Sequence, residues 1–223
     1  MHIIDSFELL KALKKLNLLK DKSDPLWWPN SLTFEVVVGA ILTQQTKWNR
    51  VEKSLDNLKS SNLLSLESLA CSDLKTLQTL IKPSGFYNTK AKRLQLLCRN
   101  IIDEYGDFEN FQANVDREWL LSQKGLGQES SDAILCYACG REIMVVDSYT
   151  KRLLEALGFC FENYTQLQEW LMQGVQSNLS GISQLYGNDY KLSTIYSRFH
   201  GKIVEFAKVH ICGKKVNIKE LCL

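Results

Sequence analysis

Proline is scarce in this 223-residue chain: Pro25, Pro29 and Pro83 are the only three. No proline-rich linker is therefore present, and long helices can run without interruption. Long apolar runs are missing too. The longest, Phe34–Leu42, carries Glu35 inside it and falls far short of the ~20 residues a membrane-spanning helix needs. The opening Met1-His2-Ile3-Ile4-Asp5 lacks the basic residues and apolar stretch of a signal peptide, so a cytoplasmic location is expected, with no membrane partner. Neither sign of charge dominates. Lys and Arg number 27, Asp and Glu 25, for a net charge of +2, so any surface that binds a polyanion must be local. No low-complexity segment or fixed-period repeat appears. The seven cysteines are odd in number and mostly sit in helical patterns, which suggests reduced thiols rather than a disulfide framework. What is present is apolar residue, 45% of the chain, enough for a substantial core.

Apolar residues recur at helical spacing almost everywhere. Asp5 or Ser6 can cap a first helix carrying Phe7, Leu10, Leu13 and Leu16. Asp24-Pro25-Leu26-Trp27-Trp28-Pro29 cannot continue it and reads as an ordered loop. The pattern predicts a very apolar helix over 32–43. Further helices are expected near 47–59, 73–81, 88–104, 116–122, 129–139, 148–157, 164–178 and 189–209, with Gly106, Gly140 and Gly158 as stops. The one strand-like run is Ile143-Met144-Val145-Val146, short and solitary. The expected fold class is all-α.

Two motifs carry chemistry. In Gln123-Lys124-Gly125-Leu126-Gly127-Gln128-Glu129-Ser130, two glycines between helices allow a tight turn that bares backbone N–H groups. The following helix presents its positive N-terminal end. Such a hairpin can hold a phosphate without contacting a base; the plain alternative is an ordinary turn between packed helices. Downstream, Glu142-Ile143-Met144-Val145-Val146-Asp147-Ser148-Tyr149-Thr150-Lys151-Arg152 delivers one carboxylate to the start of a helix. Asp147 there is at least a helix cap, worth ~1 kcal/mol. A cap also fixes a carboxylate for other work.

Together these motifs resemble the endonuclease III superfamily, which is characterised by a helix-hairpin-helix, a Gly/Pro-rich loop and an aspartate. Leu42-Thr43-Gln44-Gln45-Thr46 and Val51-Glu52-Lys53 are similar to its helix bearing a DNA-wedging glutamine. Gly85-Phe86-Tyr87-Asn88-Thr89-Lys90-Ala91 is similar to its second wedge loop. The four motifs keep their order over about residues 32–155. The nearest likeness is to a branch of bacterial 3-methyladenine DNA glycosylases without an iron–sulfur cluster, through Trp27-Trp28-Pro29 and Phe199-His200-Gly201-Lys202-Ile203-Val204-Glu205-Phe206. The resemblance implies two helical domains with the active site in a cleft between them. A six-helix barrel with the hairpin spans 32–141, and residues 1–31 and 142–223 form the second domain. It also implies a monomer acting on double-stranded DNA that contains alkylated bases.

Departures from the family pattern matter as much. Bifunctional members carry a lysine two residues after the second hairpin glycine, and its amine forms a Schiff base with the sugar. Here that position is Glu129, so water is the expected nucleophile. Lys124, nearby, reads better as a solvated or phosphate-facing residue. Many relatives hold a [4Fe–4S] cluster on C-x6-C-x2-C-x5-C. Cys212 and Cys222 fit its first and third places, Lys219 occupies the second, and the sequence stops before the fourth. Cys136-x-x-Cys139 lies within a helix with no second ligand pair and reads as small buried residues. No metal and no cofactor is expected.

Breaking the bond between sugar and base builds positive charge on the sugar. An ionised Asp147 can stabilise that charge and orient or deprotonate the attacking water. A base alkylated at N3 or N7 already carries positive charge and leaves without an obvious general acid. Aromatic faces would grip it by stacking and cation–π attraction, at roughly 0.5–2 kcal/mol per contact. Trp48 is the expected stacking residue, with Trp27, Trp28 and Pro29 lining the wall; core packing is the alternative for each tryptophan. Gln45 and Phe86 are expected to plug the gap left by the flipped base; a capping amide and a core aromatic are their alternatives. With Lys124, Gly125, Gly127, Gln128 and Ser130 they form the expected DNA contact set. Lys202 falls in the apolar stripe of Ile195, Phe199 and Phe206. Its charge must be paired, shifted, modified or snorkelled to water, or it lies near the pocket floor. The competing readings are a mismatch uracil or thymine glycosylase, a bifunctional enzyme for oxidised pyrimidines, and a non-catalytic helix-hairpin-helix binder. Glu129 speaks against the bifunctional enzyme, the tryptophans against neutral pyrimidines, and Asp147 against the passive binder.

Overall fold

Short polar side chains start many of the helices. The computed structural model describes residues 3–20, 24–213 and 215–221. In it the first helix, α1, runs over Ser6–Lys15 and is capped by Asp5, whose carboxylate accepts the Glu8 N–H at 2.8 Å. Phe7, Leu10 and Leu13 are buried on one face, as expected; Leu16 falls just past the helix end. The chain divides into two compact units, Pro29–Cys139 and a second made of Met1–Trp28 with Gly140–Leu223.

The Pro29–Cys139 unit opens with α2, Phe34–Leu42, in which Val36, Val37, Val38 and Leu42 are wholly buried. A helix apolar on all sides has to be central, and α2 packs against α3 (Trp48–Ser60), α6 (Tyr87–Tyr105) and α9 (Gln128–Ala133). Between these lie α4 (Leu66–Cys71), α5 (Leu74–Leu80), α7 (Phe108–Asn114) and α8 (Arg117–Ser122), capped by Ser65, Asp73, Asp107 and Asp116. A 3-10 turn, Lys82–Ser84, leads into α6. The helix expected over 129–139 is α9 running on into a π-helical turn, Ile134–Ala138, where the Cys139 N–H reaches back to the Ile134 carbonyl. Arg117 grips the buried Asp132 carboxylate with two bonds, Nε at 2.6 Å and Nη2 at 3.2 Å. That pair locks α8 to α9, the two helices flanking the glycine hairpin.

The other unit adds α10 (Ser148–Ala156), α11 (Tyr164–Gln176), α12 (Leu179–Tyr186) and α13 (Leu192–His210) to α1. α1 packs on α11 and α13, and α10 on α13, around Leu10, Leu154, Leu171, Phe199 and Phe206. The Ser6 hydroxyl donates to the Leu171 carbonyl at 2.9 Å, stitching α1 to α11. The strand-like run 143–146 is not a strand. Its buried backbone is served by side chains of α11 instead: Gln168 Nε2 donates to the Met144 carbonyl, and the Val146 N–H donates to the Tyr164 hydroxyl. Among the described residues the strands are β1 (Ile211–Cys212) and β2 (Lys215–Val216), a minimal antiparallel hairpin after α13. An all-α fold class therefore describes the chain.

Candidate active site and nucleic-acid interface

In the unit containing α10 and α13, Asp147 is the N-cap of α10. Its Oδ1 accepts the Thr150 N–H at 2.7 Å and the Thr150 hydroxyl at 2.8 Å. On the other side, His200 Nε2 of α13 stands 3.6 Å from Oδ2. Burial alone would push the carboxyl pKa up. His200, by hydrogen bonding and charge, and Thr150, through both its donors, outweigh that and hold Asp147 below the usual aspartate range. The cap and the fixed anion are thus one feature.

Trp27 is mounted on the same face of α13. Its indole Nε1 donates to Glu205 Oε1 at 3.1 Å, and its ring meets His200 edge to face at 5.6 Å. Gly201 makes this possible, because a Cβ there would come within 2.4 Å of Trp27 Cγ. Trp27 itself has φ +74, a left-handed backbone that is an outlier for a bulky residue. Trp28 is buried, 6.4 Å from Trp27 in a T-shaped contact, and Pro29 is exposed. Lys202 follows Gly201 on α13. Its ammonium sits 3.4 Å from the Arg198 carbonyl and 5.7 Å from the Tyr186 ring centre, at 7% exposure. Burial, with Arg198 and Lys14 nearby, pulls its pKa down to about 7. The described contacts of Lys202 are thus with Arg198 and Tyr186.

The Pro29–Cys139 unit carries the residues expected to contact DNA, in two loops and in the hairpin that opens α9. Gln45 is exposed with φ +52, and Phe86 is 67% exposed with φ +47; a core role for Phe86 is excluded. Seven described non-glycine residues have positive φ, three of them asparagines, which tolerate it. Of the other four, Trp27, Gln45 and Phe86 are site candidates, which fits the tendency of strained backbone to gather at functional sites. In the hairpin, Gly125 has φ +91, and a Cβ there would meet the Arg93 side chain at 2.4 Å. Lys124, Gly127, Gln128 and Glu129 are exposed and Ser130 is half-buried. Trp48 is half-buried in the first turn of α3.

Several functional side chains escape a reading of the sequence. Gln44 Nε2 donates to the Gly125 carbonyl and to the Ser130 hydroxyl, both at 3.0 Å, tying the Gln45 loop to the hairpin. His200, Glu205 and Thr150 shape the Asp147 site, and only Thr150 has a local signal, its place three residues after a capping aspartate. Among the described residues no group of three or more His, Cys, Asp or Glu is arranged for a metal ion. Cys136 is buried and Cys212 exposed; Cys222 lies outside the described residues. With a lysine at 219, the four-thiolate set of the cluster-bearing relatives does not fit. No described helix is long and apolar enough to cross a membrane.

Comparisons with known proteins place the chain in a family. Residues 38–177 match the model of the HhH-GPD superfamily of base excision DNA repair proteins. The chain is 38% identical to a candidate DNA repair glycosylase of Methanocaldococcus jannaschii over 98% of both chains. It is 30% identical to endonuclease III of Bacillus subtilis over 66% of this chain and 65% of that one. Among solved structures, a 3-methyladenine DNA glycosylase of H. pylori, bound to 1,N6-ethenoadenine, superposes with a TM-score of 0.89 at 50% identity. That match covers 94% of this chain and 100% of the other. The chain belongs to the HhH-GPD superfamily. It is a DNA glycosylase of base excision repair.

Proposed function

We propose that this protein is a monofunctional, monomeric glycosylase that hydrolyses the N-glycosidic bond of alkylated purines, chiefly 3-methyladenine, in double-stranded DNA. The observation that carries the reading is the Asp147 carboxylate, kept ionised between Thr150 and His200 beside the clamped Trp27 ring. As the bond from sugar C1′ to the base nitrogen lengthens, its electron pair leaves with the base. The alkylated base, already cationic, departs neutral and needs no protonation. Positive charge appears on the sugar, where a fixed carboxylate stabilises it and orients a water; the water's oxygen bonds to C1′ as its proton passes to Asp147. Trp27 supplies an electron-rich face for a cationic base, and Trp48 is proposed to stack on it. Trp28 and Pro29 support the Trp27 segment. Gln45 and Phe86 fill the vacated stack, and the hairpin from Lys124 to Ser130 holds phosphate. Glu129 offers no amine for a Schiff base. The substrate class is supported by the chemistry of the 50% identical H. pylori glycosylase.

Incubation with methylated genomic DNA, followed by chromatography of the released bases, tests this. Free 3-methyladenine is expected, without a borohydride-trapped protein–DNA adduct. Asp147→Asn keeps the cap acceptor but not the charge, and should lower release by about 100- to 10,000-fold. Release at the wild-type rate by Asp147→Asn would end the catalytic assignment. A trapped adduct would end the monofunctional one.

A further inference from the structure

Lys90 is buried, with only 2% of its surface exposed. Its Nζ donates to three oxygens, each at 2.8 Å: the Leu42 carbonyl, the Thr46 hydroxyl and the Ser84 carbonyl. Three N–H donors meet three acceptors, so the ammonium is fully satisfied. Burial lowers its pKa to about 8, so near neutral pH it still carries all three hydrogens.

The acceptors are not scattered. Leu42 ends α2 and Thr46 directly follows Gln45; Ser84 ends the 3-10 turn that leads through Gly85 to Phe86. The Thr46 hydroxyl also reaches the Ser84 carbonyl at 2.5 Å. Two exposed tips with left-handed backbone, Gln45 and Phe86, are therefore anchored at their bases to one buried ammonium. An aliphatic residue at position 90 would leave two carbonyls and a hydroxyl without that donor, and the two loops would lose their shared anchor.

We propose that Lys90 is a positioning residue that fixes the Gln45 and Phe86 loops in register, so that both plugs enter the duplex together when a base is extruded. This rests on reading Gln45 and Phe86 as plugs. Lys90 touches no DNA and no reacting atom.

The experiment compares base release in single turnover from two duplexes, one with a methylated purine fully paired and one with it inside a short unpaired bubble. The flanking duplex is the same, but the bubble carries no cost of unpairing. Lys90→Met, the double variant Gln45→Ala/Phe86→Ala, and the triple variant are measured beside wild type. If Lys90 acts through the plugs, Lys90→Met raises the bubble-to-paired rate ratio by about 10- to 100-fold. It should then have no further effect on the ratio once the plugs are gone. A merely structural role would slow both substrates alike and leave the ratio unmoved, which overturns the proposal. So would an added effect in the triple variant. If the double variant keeps the wild-type ratio, the plug reading itself fails, and this result is separate from that of Lys90→Met. Should Lys90→Met not fold, Thr46→Val removes one acceptor and the direct bond to Ser84 at near-constant volume. It is held to the same ratio, with the same two outcomes.

Discussion

Thr150 gives Asp147 two hydrogen bonds from a single residue, and only the backbone one belongs to the helix cap. The hydroxyl bond can be removed without touching the cap. Asp147 must be ionised to act, and its pKa lies below the ordinary 3.8. Activity should therefore persist down through that value and fall only as the pH drops through the folded-state pKa. Thr150→Val keeps the cap N–H and the side-chain volume but deletes the hydroxyl donor. The acidic limb of the rate profile should move to higher pH, while the rate on its plateau changes little. A limb at the wild-type position would show that the hydroxyl does not stabilise the anion. At this scale the sequence was informative wherever a residue's chemistry and its neighbours sufficed. Asp147 follows an apolar run and precedes a helix, and Glu129 stands where an amine would be needed. His200 was not legible, because its meeting with Asp147 depends on α13 packing against α10.

α13 earns its place in the site through one missing side chain. Gly201 lets the Trp27 ring lie against the helix, and Glu205, one turn on, accepts the indole N–H. Gly201→Ala puts a methyl group within 2.4 Å of the ring's Cγ, so the indole must shift and its bond to Glu205 lengthen or break. Overpacking of this kind costs about 1–3 kcal/mol. The expected outcome is a lower melting temperature with altered tryptophan fluorescence and slower release of alkylated bases. Unchanged fluorescence and activity would mean that Trp27 does not depend on this seat. Elements differed in how well they could be read. Long amphipathic helices such as α6 and α13 show several turns of periodicity. α4, α7 and α12, with 6, 7 and 8 residues, were not expected, whereas α5 and α8, equally short at 7 and 6, were; length alone does not separate them. The π turn at the end of α9 has no compositional mark. The run 143–146 is apolar because it is buried, with Met144 at 0% exposure, and extended segments and buried ones look alike in sequence. What distinguishes it from a strand is that the Met144 carbonyl and the Val146 N–H bond to the side chains of Gln168 and Tyr164.

For the molecule as a whole, the buried ionisable groups set how stability varies with pH. Lys202 and Lys90 have folded-state pKa values of about 7 and about 8, against 10.5 when solvated. Between those limits the unfolded chain binds more protons than the folded one, so stability rises with pH. The cost of burying each charge is fully present below the folded pKa and gone above 10.5. Buried acids act the other way. Cys98 and Cys136 are pushed above the ordinary 9.0 by burial, and Tyr186 to about 12. Above about pH 9 the unfolded thiols lose protons that the folded ones keep, and stability then falls with pH. The two trends together give a rise from pH 7, a plateau at about pH 9–10 and a decline beyond. Lys202 should carry more of the rise than Lys90. Lys90 has three short hydrogen bonds that favour its ammonium, whereas Lys202 has one at 3.4 Å and two like charges nearby. Lys202→Met removes the charge and keeps much of the aliphatic stem. Chemical denaturation at pH 7, 8 and 9 should show wild type gaining on the order of 1 kcal/mol per pH unit. The variant should gain less and should be most stabilised relative to wild type at pH 7. Equal slopes in the two proteins would mean that Lys202 does not exchange its proton over this range, and the buried amine would then have to be held in one state by its surroundings.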